Sequence, residues 1–234
     1  MNFLPPRPAA PGRPKDPEKR AAILEAAMAL FPARGYDGVS MDAIAQQAGV
    51  SKLTVYSHFA DKESLFSAAV TECCEQQLPH RVFEPARELP VHEALTAIAQ
   101  GFMDLIMDER AVTLHRMMVA QAGQNSRLTE IFFAAGPRRT LQDMETFLRQ
   151  ANADGSLRVP KPDHAAEHFF CLVKGIRHMR VLVGLCPIPD SEERRAHIAE
   201  VVDLFVRAYR PSERQQLSSR AKPVMPARDR RLRP

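Results

Sequence analysis

The stretch Ser40-Met-Asp-Ala-Ile-Ala-Gln-Gln-Ala-Gly-Val-Ser-Lys-Leu-Thr-Val-Tyr-Ser-His-Phe59 decides the fold of the N-terminal part of the chain. Ser40 and Ser51 are each placed to cap a short helix, because a serine side chain accepts from free backbone N–H groups. Gly49 lies between the two helices, where a tight turn needs a positive φ. The apolar residues that would hold the pair against its neighbours are Ile44, Val50, Val55 and Phe59. The stretch therefore predicts a helix-turn-helix.

Burial of these apolar side chains would leave a polar face on the second helix, formed by Lys52, Thr54, Ser57 and His58. Such a face suits the major groove of DNA, and the free N–H groups at the start of the helix suit a phosphate. Lys62, at the amino end of the following helix, is also well placed for phosphate. The alternative without a DNA-binding function is a helical hairpin whose polar residues only face solvent.

The rest of the chain also shows helical spacing of its apolar residues, and no convincing strand pattern. Asp16 before Pro17 marks a helix start, Gly35 a helix end, and Gly136-Pro137 a break between two helices. Asp163 is expected to cap a helix that points Phe169, Leu172, Val173, Ile176 and Met179 inward. Asp190, with Glu193 three residues on, is expected to open the last helix as a capping box. The fold class is therefore all-α.

Residues 23–65 resemble the TetR/AcrR family of transcriptional regulators. The matching features are Ala-Ile-Leu-Glu-Ala-Ala at 22–27, Leu30-Phe31, Gly35-Tyr36, Ser40, Ile44-Ala45, Ala48-Gly49-Val50-Ser51, Val55-Tyr56, His58-Phe59, Lys62-Glu63 and Leu65-Phe66. One departure is Leu53, which stands where many members have glycine. The C-terminal half resembles the AefR-like branch, through Gly136-Pro137-Arg138, Gly155-Ser156-Leu157-Arg158, Gly175-Ile176-Arg177 and Leu182-Val183-Gly184-Leu185.

The resemblance implies a DNA-binding domain at residues 16–62 with three helices, and a helical regulatory and dimerisation domain at 63–210. It implies a homodimer, usually a repressor, that binds double-stranded DNA and is released by a small molecule. The implied DNA-contacting residues are Ser40, Ser51, Lys52, Thr54, Tyr56, His58 and Lys62. Of these, Lys52 and Thr54 are expected to read base edges, and Tyr56, His58 and Lys62 to contact phosphate. An inverted-repeat operator follows from a two-fold dimer.

Two further sets of residues are expected to act in the regulatory domain. Residues 91–150 are rich in methionine and phenylalanine, which line adaptable apolar pockets as well as cores. The pocket expected for an apolar or amphipathic effector comprises Phe102, Met103, Ile106, Met117, Met118, Phe132, Phe147, Ile176 and Arg177. The dimer interface, which the family forms as a four-helix bundle, is expected at Leu172, Ile176, Val183, Val201, Val202 and Phe205.

Charge and composition agree with a DNA-binding protein only in part. The chain has 234 residues and a net charge of +4, and residues 211–234 alone carry seven basic and two acidic residues. These residues are expected to be a disordered basic tail, and residues 1–15, with five prolines, a disordered arm. Residues 16–70 are instead slightly acidic, with five basic and seven acidic side chains.

Without a signal peptide or membrane span, a cytoplasmic protein is expected. In that compartment Cys73, Cys74, Cys171 and Cys186 are expected to be reduced and mostly buried.

Two rival functions arise from the residues. His164-Ala-Ala-Glu-His168 matches the H-x-x-E-H pattern of one class of zinc peptidases, and the two histidines would share a helix face. A peptidase would need a further carboxylate ligand, for which Glu192, Glu193 and Glu200 are candidates, and a substrate cleft. Nothing around these residues resembles a peptidase, so we expect no enzyme and no cofactor. The second rival is an interaction protein whose helix-turn-helix serves only for packing. The sequence leaves open whether His164 and His168 bind a metal, whether the protein represses or activates, and what the basic tail does.

Overall fold

The computed structural model describes residues 16–84 and 89–211. Within these residues the secondary structure is helical, without strands, as the sequence predicts. The α-helices are α1 (Pro17–Arg34), α2 (Met41–Gln47), α3 (Lys52–His58), α4 (Lys62–Gln77), α5 (Val91–Ile106), α6 (Glu109–Gln121), α7 (Ser126–Ala135), α8 (Pro137–Ala153), α9 (Pro162–Leu182) and α10 (Ser191–Ala208). A short 3₁₀ helix, His80–Val82, precedes α5.

Local sequence signals fix most of the helix ends. Asp16 Oδ1 accepts hydrogen bonds from the backbone N–H groups of Glu18 and Lys19 at 3.0 and 3.5 Å, and Pro17 begins α1. Pro32 lies inside the last turn of α1 without ending it, and the helix stops at Gly35 with φ 75°. The expected break at Gly136-Pro137 is confirmed, since α7 ends at Ala135 and α8 begins at Pro137.

The chain forms two compact units, and each is described by itself. The described part of the first unit is residues 16–73 and 113–135, so it extends past the expected domain boundary at residue 62. Helices α1, α2 and α3 pack together in this unit. Phe31, Tyr36 and Phe66 form its aromatic core, with ring centroids 5.2–5.5 Å apart. This core fixes the α1–α2 connection against α4.

The described part of the second unit is residues 74–84, 89–112 and 136–211. Helices α5, α8, α9 and α10 pack around its core, where α9 contacts each of the other three. Phe169 of α9 lies 4.9 Å from Phe205 of α10, and Phe170 lies 4.4 Å from Phe102 of α5, both measured between ring centroids. Helix α9 is therefore the central element of this unit.

Helix α9 is interrupted at Gly175, and this overturns part of the sequence prediction. Gly175 has φ 56° and ψ −179°, a conformation that only glycine adopts readily. The buried positions of α9 run through Phe169 and Val173 and then resume at His178, one residue later than a regular helix would allow. Ile176 and Met179, which the sequence predicts to point inward, are consequently 68% and 54% exposed. Leu172, before the break, is also 37% exposed, because the buried side of that segment is formed by Phe169, Phe170 and Val173.

Two other expectations need correction. Asp163 is not the N-cap of α9, because the helix already begins at Pro162 and the capping position is Lys161. The four cysteines, none of which forms a disulfide, are not mostly buried: Cys171 is exposed and the other three are half-buried. The cap at Asp190 is confirmed, with Oδ1 accepting from the N–H groups of Glu192 and Glu193 at 2.9 Å.

The expected arm at 1–15 and most of the expected tail at 211–234 lie outside the described residues. Among the residues that are described, no helix combines the length and the apolar character that crossing a bilayer requires.

Candidate functional site

The hairpin of α2 and α3 has the local geometry that its sequence predicts. Ser40 Oγ accepts from the N–H of Ala43 at 3.1 Å, and Ser51 Oγ accepts from the N–H of Thr54 at 3.1 Å. Gly49 turns the chain with φ 65°. Ile44, Val55 and Phe59 are buried, whereas Val50 is only half-buried. The two helices are therefore held by three apolar anchors and two serine caps.

The opposite side of α3 is open to solvent. Of the residues expected to contact DNA, Ser40, Ser51, Lys52 and Tyr56 are exposed, and Thr54, His58 and Lys62 are half-buried. All but Ser40 and Lys62 lie on α3 or at its cap. The structure thus brings most of these side chains to one short helix, with the polar face outward.

Lys52 is held by an acid on the neighbouring helix. Its Nζ lies 2.9 Å from Oδ1 and 3.0 Å from Oδ2 of Asp42. This hydrogen bond raises the pKa of Lys52 above its ordinary value. The ion pair is exposed, so it stabilises the fold only weakly. Its main consequence is to fix the direction of the Lys52 side chain along the outer surface of the hairpin.

Lys62 has internal contacts that the sequence does not reveal. Its Nζ donates to the backbone carbonyls of Tyr36 and Val39 at 3.0 and 3.2 Å, and lies 4.2 Å from the centre of the Tyr36 ring. Burial, with Glu63, Asp61 and Asp37 nearby, raises the pKa of Tyr36 to about 12, so the phenol stays neutral. Lys62 therefore ties the start of α4 to the α1–α2 connection, and two of its three N–H donors are already used.

The expected dimer interface separates into two sets. Leu172 and Ile176 of α9, and Val183 at its C-cap, are 37%, 68% and 60% exposed. Val201, Val202 and Phe205 of α10 are instead 6% exposed or less, because they pack inside the same chain. The interface prediction is corrected for these three residues, whose side chains a second copy could not reach without unfolding the core. Met179, between Ile176 and Val183, extends the exposed apolar strip on α9.

The expected pocket residues are divided between the units. In the second unit, Phe102, Met103, Ile106 and Phe147 are buried, and Phe147 also lines a small surface hollow with Leu89 and Val91. Met117, Met118 and Phe132 belong to the first unit.

The remaining two expected pocket residues are Ile176 and Arg177. Ile176 is exposed. Arg177 donates through Nη2 to Glu193 at 2.9 Å, so its charge is paired.

The two histidines of the H-x-x-E-H pattern lie one helical turn apart near the start of α9, with ring centroids 6.5 Å apart. Across residues 16–84 and 89–211, no cluster of three or more metal-ligating side chains occurs. His164 instead lies 3.9 Å from the carboxylate of Asp163.

Two residues that belong to this site were not in the predicted set. Asp42 orients Lys52, but no spacing rule connects residues ten apart on different helices. Leu53 is 80% exposed in the middle of the predicted DNA-contacting residues. The sequence alone could have pointed to Leu53, because it stands where many members of the similar family have glycine.

A hairpin of this geometry, with a capped second helix and an exposed polar face, is a helix-turn-helix, the motif with which many regulators bind DNA. Residues 23–69 match the family described as "Bacterial regulatory proteins, tetR family", and residues 93–211 match "AefR-like transcriptional repressor, C-terminal domain". The chain belongs to the TetR family, with a C-terminal domain of the AefR-like type. Proteins of this family are transcriptional regulators and not enzymes, which removes the zinc peptidase alternative.

Individual relatives agree with this assignment. The chain is 27% identical over 143 residues to the HTH-type transcriptional regulator SrpR of Pseudomonas putida, covering 61% of this chain and 65% of SrpR, which is less than two thirds of that relative. Among solved structures, the flavonoid-responsive regulator FrrA is 30% identical with a TM-score of 0.62, over 84% of this chain and 99% of FrrA. The SmeT–triclosan complex is 28% identical with a TM-score of 0.60, over 83% and 93% of the two chains.

Proposed function

We propose that this protein is a homodimeric repressor that binds an inverted-repeat operator and leaves it when a small apolar or amphipathic effector binds. The observation that carries the proposal is the exposed polar face of α3, a helix that the buried Val55 anchors and Ser51 caps. Recognition helices place such residues against base edges in the major groove. A regulator with this fold would work in the cytoplasm, where its operator is.

The roles of the DNA-contacting residues follow from their positions. Lys52 and Thr54, on the first turn of α3, are proposed to select bases. Ser40, Ser51, Tyr56 and His58 are proposed to contact the phosphates on either side. Lys62 is proposed to contribute mainly by holding the α1–α2 connection, with its third N–H left for a phosphate oxygen.

The homodimer is proposed to form through the exposed apolar strip of α9 and its C-cap, comprising Leu172, Ile176, Met179 and Val183. After the break at Gly175, Ile176, Met179 and Val183 follow one another at intervals of three and four residues, so they share one face, and Leu172 adds an exposed apolar side chain just before the break. A continuous apolar face of this kind is costly in water and is usually covered by a partner. Two copies related by a two-fold axis would present two equivalent α3 helices to successive half-sites.

An apolar or amphipathic effector is supported by two similar regulators: FrrA responds to flavonoids, and SmeT forms a complex with triclosan. In this chain, the buried Phe102, Met103, Ile106 and Phe147 supply apolar surface within the second unit. Release of DNA requires that the effector bind the non-binding conformation more tightly than the DNA-binding one. A factor of about 100 between the two conformations corresponds to roughly 2.7 kcal/mol, within the usual range of allosteric coupling.

The test is selection of bound sequences from random duplexes by the full chain, followed by binding titrations with the enriched duplex. We expect an inverted repeat among the selected sequences. Triclosan and representative flavonoids are then screened by thermal shift, and each stabilising compound is added to the protein–DNA complex. An enriched sequence without two-fold symmetry would contradict the dimer, and absence of any enrichment would contradict the function.

A further inference from the structure

Leu53 is the most exposed large apolar side chain among the described residues, with 80% of its surface open to solvent. It is the second residue of α3, between Lys52 and Thr54. The packing of α3 does not depend on it, since Val55 and Phe59 are the side chains that enter the core. Tyr56, one turn further along, is 44% exposed, so an apolar strip crosses the otherwise polar face.

The polar neighbours of Leu53 already have partners within the protein. Lys52 is paired with Asp42, and the Thr54 hydroxyl lies 2.8 Å from Ser51 Oγ. The Leu53 side chain makes no hydrogen bond and has no such partner. Its side chain can therefore contact a base without breaking an internal bond, whereas Lys52 and Thr54 must exchange a protein partner for DNA.

We propose that Leu53 is a specificity-determining residue that packs against the C5-methyl group of a thymine in the major groove. This inference rests on the proposed operator binding. Among the groups that base pairs display in the major groove, only the thymine methyl is apolar, and leucine has no donor or acceptor for any other. A glycine at this position has no side chain for such a contact, so the preference belongs to chains with an apolar residue here.

The first experiment is selection of bound duplexes by three full-length proteins: the wild type, Leu53→Ala and Leu185→Ala. Leu185 is the matched control, because it is a leucine of nearly equal exposure, 77%, outside the helix-turn-helix. We expect the wild type and Leu185→Ala to select the same thymine in each half-site. Leu53→Ala should accept other bases at that position and keep its preferences elsewhere.

The second experiment replaces the selected thymine by deoxyuridine, which removes only the methyl group and keeps every hydrogen bond of the base pair. Burial of one methyl group predicts a loss of about fourfold in the affinity of the wild type per half-site, and about 15-fold when both half-sites are changed. Leu53→Ala and the size-matched Leu53→Gln should bind the two duplexes within about a factor of 1.5 of each other.

Several results would overturn the inference. One is that deoxyuridine lowers the affinity of the wild type and of both variants by the same factor. Another is that Leu53→Ala changes the preference at a base other than thymine. A change in molecular mass for Leu53→Ala by light scattering would show that the residue contacts another copy instead. If Leu53→Ala bound the operator normally and kept every base preference of the wild type, this inference alone would be overturned. If the wild type selected no DNA, the proposed function would be overturned with it.

Discussion

Lys62 provides a direct test of how the first unit is held together. The perturbation is Lys62→Met, which keeps most of the side-chain length and removes the charge. Two hydrogen bonds are lost, from Nζ to the carbonyls of Tyr36 and Val39 at 3.0 and 3.2 Å, together with the contact to the Tyr36 ring at 4.2 Å. The carbonyls would then turn to water at a partly buried position.

The expected loss can be estimated from these contacts. Hydrogen bonds to charged groups contribute about 1.5–3 kcal/mol each when buried, and an exposed cation–π contact about 0.5–1 kcal/mol. Because Lys62 is only half-buried, water recovers much of this, and we expect a net loss of about 2 kcal/mol. For a chain of this size, that corresponds to a decrease of roughly 4–8 °C in Tm.

The assay is thermal unfolding followed by circular dichroism, with Lys52→Met as the matched control. The variant Lys52→Met also loses a charge and an ion pair, but the pair with Asp42 is exposed. The Tm of this variant should therefore stay within about 1 °C of the wild type. In operator titrations, Lys62→Met should weaken binding to all DNA sequences alike. The slope of log affinity against log salt concentration should fall by no more than about one unit. Equal changes in Tm for the two variants would refute the role assigned to Lys62.

Three further predictions concern the second unit. Ile176→Arg places a charge on an exposed position of the α9 strip, so light scattering should find a folded monomer; a dimer of unchanged mass would exclude this face. Gly175→Ala forces a Cβ into a glycine-only conformation, 3.3 Å from His197 Nε2, and should cost about 1–3 kcal/mol in thermal unfolding; an unchanged Tm would show that the break in α9 is not retained in solution. The hydrogen bond with Asp143 raises the pKa of His80 above 6.5, so this pair stabilises the fold fully at low pH and less as the pH rises through the raised value. The Tm difference between the wild type and Asp143→Asn should accordingly be larger at about pH 5 than at about pH 9, and the opposite trend would contradict the assignment.

The parts of the fold that the sequence predicts correctly depend on local chemistry. The caps at Asp16, Ser40, Ser51 and Asp190 each involve a side chain and an N–H group two or three residues away. Such contacts are visible in the sequence because the spacing itself determines them. The all-α class follows likewise from helical periodicity, and the family from the string of residues around Gly49.

The errors arise partly from local backbone geometry and partly from contacts between residues far apart in the sequence. A glycine inside a helical pattern gives no sign of whether it continues the helix, so the shift of the buried face after Gly175 could not be read from spacing. An apolar stripe, similarly, does not say whether it is covered by its own chain or by a copy. The sequence pattern therefore places Phe205 in the interface, although the side chain is buried against Phe169.

In the candidate site, too, the sequence predicts the local features and misses the tertiary contacts. The exposed face of α3 follows from the burial of Val55 and Phe59, and the sequence predicts it. The pairing of Lys52 with Asp42 and the position of Lys62 between two carbonyls are tertiary contacts, spanning 10 to 26 residues, and require the structure. They change the expected roles, because both ammonium groups have protein partners before any DNA is bound.

The measurement that tests the central claim most directly is a fluorescence-anisotropy titration of the selected duplex with the full-length protein, with and without a compound that raises its Tm. We expect saturable binding with two protomers per duplex, and a Kd that rises when the compound is added. Operator DNA should weaken binding of the compound by the same factor, since the linkage is reciprocal. Binding that is independent of sequence, or an operator Kd unchanged by every stabilising compound, would contradict the account of a ligand-responsive operator-binding regulator.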